Sequence, residues 1–307
     1  NDHMTIAGNP STGLGTPPRH LPNPLPAIRP LPEYAAEGEL AARYGDMKAV
    51  LQVPWMGVVT MAFAHYPNFF GELWRGLRPL CASQPFVAAV RELRAYCEDE
   101  VENLGPPAIN ARLAEAGYGA REVDNIRAMI EIFSHGNFPY LMIATLTRSL
   151  LLGGSFGQAG DTAAAFEGRH APDVSQPFLL MERHHADGPT QAVYDDIMAT
   201  LGLPFVNTDY RALARWPSFF ALAWGDLKPS AQTAAHKALA NRVYDRALAL
   251  ANGLPNPGGL NAEALQAAAG QDAPLGEILP VTELFHYLLP QLVVNVAFFR
   301  AQLQASG

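Results

Sequence analysis

Apolar residues recur at three- and four-residue intervals over most of the chain, and no stretch alternates with the period of two that marks a half-buried strand. The pattern predicts an all-α protein. Helices are expected over Glu37–Leu51, Val58–Ala64, Phe69–Leu80, Ser83–Leu104, Ile109–Ala116, Ala120–Ser134, Pro139–Leu152, Gln191–Leu201, Thr208–Ala214, Ser218–Leu227, Ser230–Ala251, Ala262–Ala269 and Pro280–Gln304. Proline and glycine punctuate nearly every gap between them, as they do at helix ends. Residues 1–33 are dominated by Pro, Gly and Thr and read as an extended arm, with Asn1-Asp2-His3 before Met4 resembling an expression scar.

The apolar pattern also repeats. Residues 44–80 align without a gap on residues 194–230, pairing Tyr44 with Tyr194, Pro54 with Pro204, Pro67 with Pro217, Phe69-Phe70 with Phe219-Phe220 and Trp74 with Trp224. The organisation expected is helical repeat 1 at 34–152, a turn-rich linker at 153–190 and helical repeat 2 at 191–307. Two such copies would pack about a pseudo-twofold axis, with the groove between them the default place for a site. Where the first copy reads Gly57-Val58-Val59, the second reads Asn207-Thr208-Asp209. Asp209 thus occupies a place that the sister copy fills with valine, so its surroundings are expected to be poorly solvated. A carboxylate there is costly unless it is paired or used.

Charge narrows the function. The formal net charge of -8, with 16% charged residues, disfavours nucleic acid, because phosphate contacts need clustered Lys and Arg. Cys81 and Cys97 form no CxxC pair, and the nine histidines show no HExxH spacing, so no metal or other cofactor is expected. Neither a signal peptide nor an uninterrupted apolar span is evident, and the expectation is a cytoplasmic protein that engages no membrane.

Several residues stand out as candidate chemistry. Asp209 follows Asn207-Thr208, either of which can cap a helix, and a capped start would hold the acid rigidly. Asn137 lies in Ser134-His135-Gly136-Asn137-Phe138-Pro139-Tyr140, read as a polar break between two helices. Its amide is either a turn residue or, beside a carboxylate, a partner that holds a water for a general base. His135 and His286 occupy similar places in the two copies and read as core histidines satisfied by neighbours. Trp55, Tyr140, Phe205 and Tyr287 are core or groove lining by default.

Val53-Pro54-Trp55, Gly136-Asn137 with Tyr140, and Thr208-Asp209-Tyr210-Arg211-Ala212-Leu213-Ala214-Arg215-Trp216-Pro217 together resemble the group I 2-haloacid dehalogenases. The likeness covers essentially the whole chain after the arm. It implies a cofactor-independent displacement in which a water attacks Cα of a 2-haloalkanoate with inversion and no covalent enzyme intermediate. Asp209 would be the general base and Asn137 would help position the water. Trp55 and Val58 would line the halide side, Tyr140 and Tyr287 the walls, and Thr208 would receive the substrate carboxylate. DL-acting members have alanine where this chain has Asn207, which implies a narrower pocket and specificity for the D isomer. The resemblance also implies a homodimer. The competing class is a silent helical repeat protein that binds a small acid; a decarboxylase or peroxidase of the carboxymuconolactone type would want a redox motif that is absent.

Overall fold

A computed structural model describes residues 13–174 and 176–305, and the probable scar at residues 1–3 lies outside them. Among the described residues the regular structure is helical, with one isolated β-bridge between Ser83 and Ala165. The helices are α1 (Gly38–Leu51), α2 (Val58–Ala64), α3 (Pro67–Cys81), α4 (Gln84–Val101), α5 (Asn110–Glu115), α6 (Ala120–Leu151), α7 (Gly188–Leu201), α8 (Thr208–Leu213), α9 (Pro217–Ala231), α10 (Ala234–Asn252), α11 (Ala262–Asp272) and α12 (Leu275–Gln304). Residues 13–32 carry neither helix nor strand.

Local chemistry explains many of the ends. Asp187 caps α7 by accepting a hydrogen bond from the Thr190 N–H, and Asn261 does the same for Ala264 at the start of α11. Proline opens both α3 and α9, where its missing N–H costs nothing. At the end of α7, Gly202 adopts the left-handed conformation with φ 71° that glycine tolerates best. Gln52 holds the equivalent turn after α1 at φ 56° without that freedom.

One predicted break does not exist. The sequence suggested separate helices over Ala120–Ser134 and Pro139–Leu152, yet α6 runs unbroken through Gly136-Asn137-Phe138-Pro139. A proline inside a helix costs about 3 kcal/mol through a lost hydrogen bond and a clash with the preceding turn. Burial outweighs it, because Gly136 through Leu152 are all removed from solvent. A helix apolar on all sides belongs in a core. Helix α9 also runs past Pro229, and α12 begins five residues before Pro280, although neither proline is buried. Helix α12 is long and apolar enough to cross a membrane, but 78% of its most apolar window is buried inside the protein, the condition of a core helix.

The chain divides into two compact units. Unit 1 takes the chain up to Leu93, then Phe138–His170 and Val243–Leu289. Unit 2 takes Arg94–Asn137, Ala171–Arg242 and the chain from Pro290 onward. Each unit therefore draws on both halves of the sequence.

Matching hydrogen bonds recur within the units. In unit 1 the Tyr44 hydroxyl donates to the Leu31 carbonyl, the Leu31 N–H donates to Met61, and Asp46 accepts from Trp74 Nε1 at 2.8 Å and from Arg78. In unit 2 the Tyr194 hydroxyl donates to Met181, the Met181 N–H donates to Arg211, and Asp196 accepts from Trp224 Nε1 at 2.8 Å and from Lys228. Every member of the second set lies 150 residues after its counterpart. The tryptophans, aspartates and tyrosines shared by the two segments are thus the groups that tie α1 to α3 and α7 to α9.

Unit 1 contains the tightest backbone approach. A Cβ built on Gly258 would lie 2.0 Å from the Gly76 carbonyl oxygen, and one on Gly76 would lie 2.5 Å from Leu260 Cβ. Neither neighbour is the flexible end of a side chain, so the loop after α10 must separate from α3 to admit a methyl group. Overpacking of this kind costs typically about 1–3 kcal/mol. Gly258→Ala is therefore expected to lower the denaturation midpoint with no change in the slope against urea, whereas Gly225→Ala, with open space around it, should not.

Candidate active site

Helix α8 is only six residues long, and its first turn is buried: Thr208 is 5% and Asp209 2% exposed. Val59, the counterpart of Asp209 in the first copy, is also 2% exposed. The sister sequence correctly indicated a dry location. Inside unit 2, Asn137 on α6 donates from Nδ2 to Asp209 Oδ2 at 2.6 Å. The amide thus meets the acid directly, in place of the water-separated arrangement considered from sequence, and it does so from mid-helix instead of from a turn.

Electrostatics make this acid unusual. Burial pushes the Asp209 carboxyl up to about 7 from its ordinary 3.8, opposed by the Asn137 hydrogen bond, by its own backbone N–H and by the Arg211 charge. Arg211 also donates to Glu182 Oε1 at 2.9 Å and to Thr208 Oγ1 at 3.3 Å, while its Nε is buried without a partner. Asp209 is poised to take or release a proton near neutral pH, which is what a general base requires.

Asn207 stands at the N-cap position of α8 with φ -60° and ψ 154°, as the sequence suggested, but its side chain makes no capping bond. Its Oδ1 is buried without a partner. An orphaned acceptor two residues from the acid is costly for folding alone and leaves one hydrogen-bonding group for something else to satisfy.

Unit 1 gathers a second group of candidates. The Tyr140 hydroxyl donates to the Trp55 carbonyl at 2.6 Å, and the two rings meet edge to face with centroids 5.5 Å apart. Gly57 is packed under the Tyr140 ring so closely that a Cβ there would lie 3.1 Å from three ring carbons. Glu33 fixes the same loop by accepting from the Met56 N–H at 3.1 Å. Val58, half-buried, opens α2 directly after this platform. Tyr287 belongs to a different cluster of unit 1: Arg19 lies over its ring at 4.2 Å and donates to its carbonyl at 2.8 Å.

Cavities on unit 1 lie elsewhere. One of about 860 Å³ is lined by Arg43, His65, Asn68 and Glu72 among others, and one of about 550 Å³ by residues 20–27 and α12; neither includes any of the eight candidates. The perturbed carboxyl therefore lies away from both cavities. Sequence reasoning missed Glu182 and Arg211. The only signal for them was their opposite charge, which nothing linked across 29 residues.

Comparison with known proteins finds relatives over most of the chain. The family profile of DehI, described as halocarboxylic acid dehydrogenase, matches residues 204–303. An (R)-2-haloacid dehalogenase of Rhizobium sp. (strain NHG3) is 46% identical over 255 residues, covering 83% of this chain and 98% of that protein. An (R)-2-haloacid dehalogenase of Pseudomonas putida is 39% identical over 293 residues, covering 92% and 96%. A solved structure described as a complex of D-2-haloacid dehalogenase with L-LA superposes with a TM-score of 0.84 at 37% identity, covering 93% of this chain and 99% of that one.

The raised carboxyl of Asp209 couples stability to pH. Between about pH 4 and 7 the native state keeps a proton that the unfolded chain has lost, so this group's contribution to stability is fully present in acid and drains away as pH rises. Asp209→Asn removes the effect. The variant is expected to gain in melting temperature over the parent protein as pH rises from 4 to 8, and an equal difference at both ends would refute the assignment.

Proposed function

The chain belongs to the (R)-2-haloacid dehalogenase family, hydrolases of the carbon–halide bond of D-2-haloacids, and from that premise we propose that Asp209 is the general base and Asn137 its positioning partner. The observation that carries the proposal is the buried hydrogen bond from Asn137 Nδ2 to Asp209 Oδ2, with the carboxyl raised to about 7. With Oδ2 held by the amide, Oδ1 takes the proton of the attacking water. The oxygen of that water bonds to Cα while the carbon–halogen bond breaks and halide leaves, so the centre inverts and an (R)-2-haloacid yields an (S)-2-hydroxyacid. Water held at attack distance, in a site from which bulk solvent is excluded, supplies the rate.

The remaining roles follow chemical type. Trp55 and Val58 offer apolar surface to the halogen, Tyr140 and Tyr287 form walls, and Thr208 receives the substrate carboxylate. Asn207 restricts the pocket to the D isomer, and its unpartnered Oδ1 supports a direct part for the side chain. The recurrent hydrogen bonds around Asp46 and Asp196 support an origin of the fold as two copies of one helical element, only the second of which carries the acid.

Halide release from separate (R)- and (S)-2-chloropropionate, with the configuration of the lactate determined, tests the proposal. The expected result is (S)-lactate from the (R) substrate, with the (S) substrate slower by well over tenfold; a ratio within tenfold, roughly 1.4 kcal/mol, sinks the role of Asn207. Against pH, kcat/KM is expected to rise tenfold per unit and level off above about 7 as Asp209 loses its proton. Asp209→Asn should abolish turnover. Asn137→Ala should cost on the order of a hundredfold, the scale for losing one preorganised donor, and move the acid limb to higher pH because an opposing hydrogen bond is gone. An unmoved limb would leave Asn137 no hold on the base.

A further inference from the structure

The most unusual group that the proposed reaction leaves unused is a buried cation in unit 1. Arg148, three residues before the end of α6, is 1% exposed, and among the described residues it meets no carboxylate. Its one hydrogen bond is from Nη1 to the neutral Tyr244 hydroxyl at 3.0 Å, and its Nε–H has no acceptor. The Tyr244 hydroxyl is in turn committed, donating to the Pro17 carbonyl at 2.6 Å.

Against the Tyr244 ring lies His286, wholly buried, with centroids 4.4 Å apart and the planes tilted by 30°, and near enough to Arg148 to feel its charge. Both its ring nitrogens lack partners. The sequence suggested a core histidine satisfied by a neighbour, and the structure overturns that for His286, whereas His135 lies 3.6 Å from Glu131. Burial holds the His286 pKa well below its usual value, with Arg148 and Arg19 adding repulsion, so the ring is neutral and carries one N–H. Arg19, a second guanidinium near Tyr244, stacks on Tyr287.

An isolated buried guanidinium is among the costliest groups a core can hold, and such charges are found paired. Here the protein supplies an uncompensated positive charge, an unused Arg148 N–H and an unused imidazole N–H, but no anion. We infer that Arg148 and His286 form a binding site for one small monoanion, a halide ion or the carboxylate of a short acid. A single uncompensated charge selects a monoanion over a dianion, and complete burial selects a small one. Two N–H donors suit a spherical halide, which needs no further partners, at least as well as a carboxylate with its four lone-pair directions. A dehalogenase works among such ions: its substrate and both of its products are monoanions. The site does not depend on the roles given to Asp209 and Asn137.

Bromide is the probe, because it binds without turnover and can be located by anomalous diffraction. The full-length protein is expected to bind bromide saturably by calorimetry, and a bromide-soaked crystal to show an anomalous peak beside Arg148 Nε and His286. Arg148→Met and His286→Phe should each weaken that binding at least tenfold. The second variant keeps a ring against Tyr244 and carries the test if the first does not fold. Displacement of bromide by acetate would extend the site to carboxylates, and indifference to acetate would restrict it to halides. A water molecule between the two side chains, a crystal peak without saturable binding in solution, or equal affinity in both variants would overturn the inference.

Discussion

A single hydrogen bond, from the Asn137 amide to the Asp209 carboxyl, sets the terms for the surrounding structure. Burial of both partners holds the acid weak, near neutrality, and a fixed amide keeps the acid in place. Asn137 is fixed inside a long buried helix, even though Pro139 disfavours helix two residues later. Asp209 is buried in the first turn of a short helix, with its backbone N–H moderating the shift. Arg211, whose charge also opposes the shift, donates to Glu182 and Thr208.

The segment around Tyr44 matches the segment around Tyr194 in its hydrogen bonds but not at the acid. Around Tyr44, Asp46 and Trp74 it keeps the hydrogen bonds seen around Tyr194, Asp196 and Trp224, but it holds Val59 where the second holds Asp209. Aligning His135 with His286 and Pro139 with Pro290 sets Leu288 opposite Asn137. Acid and amide are therefore both replaced by apolar residues in the sister copy, as expected if a lone buried acid or a lone buried amide is worse than neither.

Much of this was legible beforehand, for reasons that particular residues make plain. The helical class followed from periodicity, and α2 was placed to the residue because Gly57 and His65 bound an apolar run. The dryness of Asp209 followed from Val59, since a duplicated sequence records what its neighbourhood tolerates. Local signals failed at Asn137, where Gly, Asn and Pro in succession spell a break and long-range burial wrote a helix. They failed also at His286, whose isolation depends on Tyr244 and Arg148, distant in sequence. Arg148 had left a trace, as the one charge in the apolar run from Phe138 to Leu152, but only packing reveals that no carboxylate among the described residues answers it.

The make-up of the two units bears on how the chain reaches its native state. The part of unit 1 that ends at Leu93 must wait for Val243–Leu289, and Arg94–Asn137 must wait for Ala171–Arg242. At about 5–20 residues per second, the roughly 150 residues between Leu93 and Val243 take on the order of 8 to 30 seconds to synthesise. Through that interval the nascent chain holds apolar helices whose partners have not yet been made. Neither unit is complete before residue 289, so a chain cut short anywhere before that point has no finished core. Such a chain exposes the surfaces that aggregate and that chaperones recognise.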